Sequence, residues 1–428
     1  MPSRPQIFLS AGEASGERYG AMLIEAVRAL RPDAEFFGLG GAAMEAAGCE
    51  RVVRTEDIAV MGITEVLRHM PRIYKEYRRL VHSIRARKPD VAVLIDFPDV
   101  NFRLAKELKQ SGIPVLYFVS PQLWAWKQYR VRWVRERVSK MLVIFPFEEK
   151  YYRDRGVDAE FVGHPLADLP LPTISRKDYA HQYGLDAAKE WIALLPGSRG
   201  KELRHNLPVM AGAANLLGAP YEFLLPAAAT LDPEWVRRMV AQCQTATTGI
   251  DIPIHVVEDA RAALFHARAS VVASGTATVE AALIGNPFIA VYRLSNFSYA
   301  IASRLVDLPH VAMVNLIAGD RIVPELIQDD FTAENIVRTL QPLLEETGYR
   351  SQMIEELASI RTALHWESRV ADIANSSRME IAEEAEDGPV PERTAIDRAA
   401  AWVLDFLDRA EAEPSPIQTD SHTADMPG

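Results

Sequence analysis

The sequence contains only two cysteines, Cys49 and Cys243, among its 428 residues. Two cysteines argue against a disulfide-stabilised secreted scaffold, and they do not form the C-x-x-C spacing of zinc or redox sites. No apolar run reaches the ~18 residues that a membrane-spanning helix needs. Glycine and glutamate interrupt the N-terminal region too soon for a signal peptide. We therefore expect a reducing, cytoplasmic location.

Several motifs that carry chemistry are also absent. No set of His, Asp and Glu residues shows metal-ligand spacing, so we expect no metal and no cofactor. No RNP, helix-turn-helix or zinc-finger pattern is present, so we expect no nucleic acid partner. Gly200-Lys201 superficially resembles a Walker A loop, but no glycine lies five residues earlier, which excludes that motif. His164 is a candidate base, but beside Pro165 a structural role is at least as well supported.

Charge is divided unevenly along the chain. The net charge is −11, yet residues 1–150 contain 24 Lys and Arg against 18 Asp and Glu, and the remaining residues contain 23 against 40. The basic balance of the first part indicates an anionic partner there, which leaves nucleic acid, a phosphate ligand or a membrane surface.

Apolar strand patterns alternate with helical periodicity in both halves of the chain. The strand candidates are Gln6–Ser10, Val91–Ile95, Pro114–Val119, Met141–Phe145, Trp191–Leu195, Glu222–Leu225, Ile254–Val257, Ala269–Ala273 and Phe288–Val291. This order predicts parallel sheets with helices on both faces. We expect an α/β protein with two doubly wound, Rossmann-like domains facing a cleft, and with ligand loops at the carboxyl ends of the strands.

Composition predicts the domain boundaries. A proline-rich, polar stretch over 166–178 reads as a linker between an N-terminal domain, 1–165, and a second domain, 179–380. An acidic insertion and one amphipathic helix follow over 381–410. The last residues, 411–428, are almost without apolar side chains, and we expect a disordered tail.

Two loops of the N-terminal half carry carboxylates. Glu13 lies in the sequence GEASGE at 12–17, between the first strand and the first helix, and Asp96 and Asp99 directly follow a buried strand. A carboxylate at a strand end of such a domain lies at the cleft, where general-base chemistry needs it. The alternatives are a plain turn in which Ser15 caps the helix, and an N-cap role for Asp99.

Two loops of the second half suit a diphosphate. Gly197, Ser198 and Arg199 offer backbone N–H groups, a hydroxyl and a guanidinium. Ser274-Gly275-Thr276 joins a strand to a helix, and its small residues let an anion reach the helix N-terminus. Glu280 fits no capping box and could accept hydrogen bonds from ribose hydroxyls. For each loop the alternative is an ordinary surface turn.

A basic stretch with apolar side chains predicts contact with a membrane. From Arg68 to Lys88 there are eight Lys and Arg and one acidic residue, Glu76. The apolar residues expected to meet the lipid include Val66, Leu67, Met70 and Ile73. Such a pattern fits an interfacial contact. The alternative is an ordinary amphipathic helix that faces the core. Residues 127–140 form a second basic stretch.

Taken together, nine stretches closely resemble the lipid-A-disaccharide synthases, a family of bacterial glycosyltransferases. They are GEASGE (12–17), AVMGITEVL (59–67), DFPDVN (96–101), SPQLWAWK (120–127), FPFE (145–148), VGHP (162–165), LPGSR (195–199), SGTATVE (274–280) and VNLIAGDRIVPELIQ (314–328). They occur in the family's order. The departures are Glu17 where the family usually has Asp, Val314 where it usually has Pro, and an unusual 380–428 region.

The resemblance implies a two-domain glycosyltransferase-B fold. Members of the family join UDP-2,3-diacylglucosamine to 2,3-diacylglucosamine 1-phosphate. The products are UDP and the β-1′,6-linked disaccharide of lipid A, with inversion at the anomeric carbon. Because both substrates carry acyl chains, we expect a peripheral enzyme on the cytoplasmic face of the inner membrane. The sequence leaves the oligomeric state open.

The resemblance also implies roles for the candidate residues. Asp96 is the favoured general base, Asp99 is the second candidate, and Glu13 positions the acceptor or stabilises charge on the sugar ring. The two small-residue loops hold the diphosphate, Glu280 binds the ribose, and Asn315 contacts donor sugar or phosphate. The rival functions are another UDP-sugar enzyme of this fold, such as an epimerase or a lipid II synthase, and a non-catalytic binding protein.

Overall fold

The computed structural model describes residues 4–58, 63–245, 252–293, 310–366 and 393–412, with only the backbone described at 58, 63–70 and 245. The described residues form two parallel sheets, which confirms the predicted α/β class. In the described chain no helix is long and apolar enough to cross a membrane.

The first sheet has seven strands in the order β3-β2-β1-β4-β5-β6-β7. They are β1 (Gln6–Ala11), β2 (Glu35–Gly40), β3 (Cys49–Arg54), β4 (Val91–Ile95), β5 (Val115–Phe118), β6 (Lys140–Val143) and β7 (Ala159–Phe161). The helices of this part of the chain are α1 (Ala14–Leu30), α2 (Ala42–Ala46), α3 (Thr55–Ile58), α4 (Ile63–Arg87), α5 (Pro98–Gln110), α6 (Val131–Arg137) and α7 (Pro146–Arg153).

The second sheet has six strands in the order β10-β9-β8-β11-β12-β13. They are β8 (Glu190–Leu195), β9 (Tyr221–Pro226), β10 (Ile254–Val257), β11 (Ala269–Ala273), β12 (Phe288–Tyr292) and β13 (Glu325–Ile327). The remaining helices are α8 (Arg176–Tyr183), α9 (Gly200–Leu217), α10 (Pro233–Thr245), α11 (Ala260–His266), α12 (Thr276–Ile284), α13 (Met313–Ala318), α14 (Ala333–Leu344), α15 (Gly348–Leu364) and α16 (Ala395–Ala412).

Strand pairing brings the candidate loops together in each sheet. β1 and β4 are parallel neighbours, and Ala11 pairs with Ile95 at their carboxyl ends. β8 and β11 are also parallel neighbours, with Leu195 paired to Val272. All five residues of β4 are fully buried, as its continuous apolar sequence predicts for a strand covered on both faces. The loops that follow these strands therefore lie side by side within their own sheets.

The chain divides into two compact units. One takes in the described residues of Met1–Pro121, Trp133–Leu142 and Ile396–Gly428, and the other those of Gln122–Arg132 and Val143–Ala395. All of the last helix, α16, except its first residue, Ala395, thus belongs to the first unit. There the Glu411 carboxylate accepts a hydrogen bond from Arg31 at 2.8 Å, and the Lys140 ammonium lies 4.0 Å from the centre of the Trp402 ring. Residues 383–392 and 413–428, including most of the predicted tail, lie outside the described residues.

Candidate active site

The carboxylates Glu13, Asp96 and Asp99 lie on the adjacent turns that follow β1 and β4. Glu13 is half-buried and is the N-cap of α1, so Ser15 is not the cap. Asp96 is half-buried and directly follows β4, whereas Asp99 is exposed in the first turn of α5. Phe97 is the N-cap of α5, so Asp99 is not. The sheet register thus brings the predicted acidic residues to one edge.

An aromatic ring fills the space between these two turns. A Cβ atom on Gly12 would lie 2.3 to 2.6 Å from three atoms of the Phe97 ring. Real Cβ atoms do not approach carbon so closely, because the optimal separation is about 3.5–4.0 Å. Gly12 is therefore required by the close approach of the Phe97 ring, and the ring links the Glu13 turn to the Asp96 turn.

Strained backbone marks the same edge. Asp96 and Phe97 have φ values of 43° and 47°, and Val119, just after β5, has a φ of 62°. Non-glycine residues rarely adopt this left-handed region, and a β-branched valine there is an outlier. Each such residue costs on the order of 1–3 kcal/mol, and strain of this kind concentrates at functional sites.

A buried hydrogen-bond network holds the Asp96 turn. The Asn101 side chain is fully buried, and its Oδ1 accepts a hydrogen bond from the Ser10 hydroxyl at 2.6 Å. Its Nδ2 lies 2.7 Å from the Asp96 carbonyl oxygen and 3.2 Å from that of Ile95. The buried Tyr117 hydroxyl donates to the same Asp96 carbonyl at 2.5 Å. Sequence reasoning assigned no role to Asn101, Ser10 or Tyr117.

The loop after β8 presents one of the two expected diphosphate sites. Gly197 adopts a φ of 121°, and Arg199 is the N-cap of α9. The Glu202 carboxylate accepts hydrogen bonds from the backbone N–H groups of Ser198 and Arg199 at 3.0 and 3.2 Å. The half-exposed Arg199 guanidinium lies 3.4 Å from the same carboxylate. Two of the expected backbone donors are therefore already engaged by Glu202.

Two charged residues of this loop, Glu202 and Arg199, affect the pKa of Tyr292 at the end of β12. Burial is the main cause that raises the pKa of the Tyr292 phenol; the Glu202 carboxylate raises it further, and Arg199 opposes this. Tyr292 also lines a narrow crevice, too small to hold a water molecule, together with Ser274, Ala312 and Glu325. The phenol therefore remains protonated at neutral pH beside the two predicted diphosphate loops.

The loop after β11 presents the second expected diphosphate site. Gly275 is the exposed N-cap of α12 with a φ of 154°, and Thr276, the first helical residue, is exposed as well. The Ser274 hydroxyl donates to the Val311 carbonyl at 3.0 Å. Since Gly275 has no side chain to cap α12, the N-terminus of this helix is approachable by an anion.

Glu280 has an internal cationic neighbour. Its side chain is largely buried, and Oε1 lies 3.9 Å from a guanidinium nitrogen of Arg261 on α11. The Arg261 guanidinium also donates to the Pro170 carbonyl at 2.9 Å. The carboxylate expected to bind ribose is thus held near the protein's own arginine.

The Asn315 amide is occupied by the protein itself. It is fully buried, its Oδ1 accepts from the N–H groups of Ile322 and Val323, and its Nδ2 donates to the Val323 carbonyl and to Glu325. Glu325 in turn accepts from the N–H of Ala312 at 2.8 Å. The amide thus orders the 311–325 segment, and the expected contact of Asn315 with donor sugar or phosphate stays a prediction.

The predicted membrane residues lie on α4. The side chains of Val66, Leu67 and Met70 lie outside the described residues, although the helix backbone there is described. Ile73 is half-buried, and Tyr74 beside it is 61% exposed. The choice between a lipid contact and a core stripe therefore stays a prediction for these side chains.

His164 is a buried, neutral histidine. Burial lowers its pKa to about 3. Its ring Nδ1 accepts a hydrogen bond from the backbone N–H of Leu166 at 3.2 Å, and the His164 backbone N–H donates to the Leu364 carbonyl at 2.9 Å. These contacts favour the structural interpretation of this residue over a role as base. Elsewhere in the described chain, no group of three or more His, Cys, Asp or Glu side chains is placed to hold a metal ion.

Comparison with known proteins identifies the family. A sequence model of the family described as lipid-A-disaccharide synthetase matches residues 7–376. The chain belongs to this family. A lipid-A-disaccharide synthase of Acidobacterium capsulatum is 62% identical over 371 residues, covering 85% of this chain and 93% of that protein. The corresponding protein of Koribacter versatilis is 50% identical over 360 residues, covering 84% and 93%.

Solved structures support the fold of this lipid-A-disaccharide synthase family member. The glycotransferase of kitacinnamycin superposes with a TM-score of 0.59 at 15% identity, covering 95% of this chain and all of that chain. A UDP-GlcNAc 2-epimerase of Neisseria meningitidis gives a TM-score of 0.56 at 13% identity, covering 86% and 100%. These likenesses concern the fold alone. They agree with the expected glycosyltransferase-B architecture, and the family match confirms a glycosyltransferase rather than an epimerase.

Proposed function

We propose that this family member transfers 2,3-diacylglucosamine from its UDP derivative to the 6-hydroxyl of 2,3-diacylglucosamine 1-phosphate. The products are the β-1′,6 disaccharide and UDP. The observation that carries the proposal is the family match over residues 7–376, which spans both carboxylate turns and both diphosphate loops. The rival epimerase function is supported only by fold likeness at low identity.

In the proposed reaction Asp96 acts as general base. It takes the proton from the acceptor 6-hydroxyl while that oxygen attacks the anomeric carbon, and the bond from that carbon to the diphosphate oxygen breaks on the opposite face. A single displacement of this kind inverts the anomeric centre. The position of Asp96, at the carboxyl end of β4 on a strained turn, supports this role. Asp99 is the second candidate, but it is more exposed.

Glu13 is proposed to position the acceptor or to stabilise positive charge on the sugar ring. It lies on the turn next to Asp96, joined to it through the contact between Gly12 and the Phe97 ring. A second carboxylate at the same edge makes the electrostatic potential more negative at the position where an oxocarbenium-like centre would develop. Such fixed charges need no rearrangement during the reaction, which is what makes them effective.

The departing diphosphate is proposed to bind the Arg199 guanidinium, Ser198 and the N-terminus of α12 at Ser274-Gly275-Thr276. Charged donors and a helix N-terminus stabilise an oxyanion that gains charge as UDP leaves. Glu280 is proposed to accept hydrogen bonds from ribose hydroxyls.

The membrane is proposed to be met by α4. From Arg68 to Lys88 the sequence is strongly basic, and Tyr74 is exposed on this helix. Anionic lipid attracts each nearby Lys or Arg by about 1 kcal/mol, and apolar insertion of Val66, Leu67, Met70 and Ile73 would add to that. We propose that this contact delivers the acylated substrates at the cytoplasmic face of the inner membrane.

The test combines the two acylated substrates with the purified protein and analyses the products for disaccharide and UDP. Asp96→Asn is compared with the matched variant Asp99→Asn. We expect Asp96→Asn to lower kcat roughly 10²–10⁴-fold with unchanged UDP affinity, and Asp99→Asn to stay near the wild type. The reverse pattern assigns the base to Asp99. Absence of disaccharide from the wild type refutes the proposed reaction.

A further inference from the structure

We infer that Tyr117 and Asn101 are positioning residues that fix the Asp96 turn in its working conformation. The inference rests on the proposed role of Asp96 as general base. Both side chains are fully buried, and both donate to one atom, the Asp96 carbonyl oxygen, at 2.5 and 2.7 Å. That oxygen belongs to the residue whose side chain is assigned the chemistry.

The backbone at Asp96 needs such support. Its φ of 43° is followed by 47° at Phe97, so two successive non-glycine residues are left-handed. This conformation is unfavourable for each of them and persists only where the surroundings determine it. The Asp96 carbonyl belongs to the peptide group that joins Asp96 to Phe97. Hydrogen bonds from Tyr117 on β5 and Asn101 on α5 hold this peptide group in place.

The two donors come from rigid elements. Tyr117 lies on β5 and pairs in register with Leu94 of β4. Asn101 lies on α5, and the Ser10 hydroxyl of β1 fixes its amide by donating to Oδ1 at 2.6 Å. The Asp96 carbonyl is therefore tied to the central strands of the sheet rather than to a loop. General-base catalysis depends on hydrogen-bond geometry at the reacting proton, so fixing the turn fixes the distance that matters.

The alternative is a purely structural role, in which these buried groups only stabilise the fold. The two cases differ in a double-mutant cycle. A group that acts through Asp96 loses its effect on kcat once the Asp96 carboxylate is gone, because residues that act as a unit are not additive. A purely structural group has the same effect on kcat in either background.

The experiment uses Tyr117→Phe, which removes only the hydroxyl and leaves no cavity at the ring. We expect kcat to fall roughly threefold to tenfold, as one buried hydrogen bond is worth, with KM for the UDP-sugar unchanged. In the Asp96→Asn background the same change should alter kcat less than about twofold. Asn101→Ala should show the same pattern, and thermal melting of each variant shows that the unit carrying the substitution is folded.

The matched control is Tyr179→Phe. Tyr179 is also buried, and its hydroxyl donates to another aspartate carbonyl, that of Asp259, at 3.5 Å in the second unit. The Tyr179→Phe variant should leave kcat unchanged. An equal fall in kcat for Tyr117→Phe in both backgrounds overturns the inference while Asp96 remains the base. If Asp96→Asn keeps more than about a tenth of kcat, the base assignment fails first, and the inference fails with it.

Discussion

Adding one methyl group at Gly12 should separate the two acidic turns. The Cβ of Gly12→Ala would lie 2.3 Å from the nearest Phe97 ring atom, whereas ordinary contact begins near 3.4 Å. The ring or the turn must therefore move by about 1 Å. Overpacking of this size typically costs about 1–3 kcal/mol.

The sequence offers a matched control on the same motif. A Cβ on Gly16, within α1, would meet Ile95 at 3.4 Å, an ordinary contact distance. Gly16→Ala should therefore be neutral or stabilising, because alanine favours a helix over glycine by about 1 kcal/mol. The two variants add the same atoms four residues apart, and only Gly12→Ala meets the Phe97 ring.

Thermal melting and turnover together measure the effect. We expect Gly12→Ala to lower the melting temperature by a few degrees, since about 1 kcal/mol shifts a domain of this size by about 2–4 °C. It should also lower kcat, because the displaced ring lies between the Glu13 and Asp96 turns. Phe97→Leu should relieve part of the loss when combined with Gly12→Ala. Equal behaviour of Gly12→Ala and Gly16→Ala, or no relief from Phe97→Leu, would refute this account of the contact.

Three further outcomes are expected. Arg199→Ala should weaken UDP binding roughly tenfold by calorimetry, as loss of a charged hydrogen bond would, and an unchanged affinity contradicts the diphosphate assignment. Burial lowers the pKa of His164 to about 3 in the folded protein. Below about pH 6.5 the unfolded chain therefore binds a proton at this histidine while the folded chain does not, so the free energy of unfolding falls as the pH drops. His164→Asn keeps an acceptor for the N–H of Leu166 but cannot bind this proton. The difference in unfolding free energy between the wild type and this variant should therefore shrink by up to about 1.4 kcal/mol per pH unit between pH 6.5 and 4.5. A difference that stays constant with pH in chemical denaturation contradicts this. Replacing Val66, Leu67 and Met70 by Ser should abolish flotation with anionic vesicles at an unchanged melting temperature, whereas a collapsed melt places these side chains in the core.

The central strands were predictable because their sequences are continuously apolar. Val91–Ile95 and Ala269–Ala273 have the predicted bounds, and every residue of both strands is buried, as expected for strands covered on both faces. β2 contains two glycines, and β3, at the sheet edge, contains three charged residues, Glu50, Arg51 and Arg54. β7 has only three residues. No such run marks these strands, so they were missed.

The site was predictable as a set of loops but not as a set of contacts. A parallel sheet places its βα turns at one edge, so the turns at Glu13 and Asp96 follow from strand order alone. The partners of those turns depend on pairings between distant residues. Asn101 meets Ser10 across 91 positions, and Tyr117 meets Asp96 across 21. Local sequence patterns carry no information on such contacts, and the buried hydrogen-bond network of Asn315 was unpredictable for the same reason.

Glu202 gives the loop after β8 an anion of its own. A diphosphate that bound the N–H groups of Ser198 and Arg199 would have to displace this carboxylate. Its net binding free energy would then be the difference between its own interaction with these donors and that of the Glu202 carboxylate. In exchange, the loop is ordered before any nucleotide arrives, and the entropy lost on binding is correspondingly smaller.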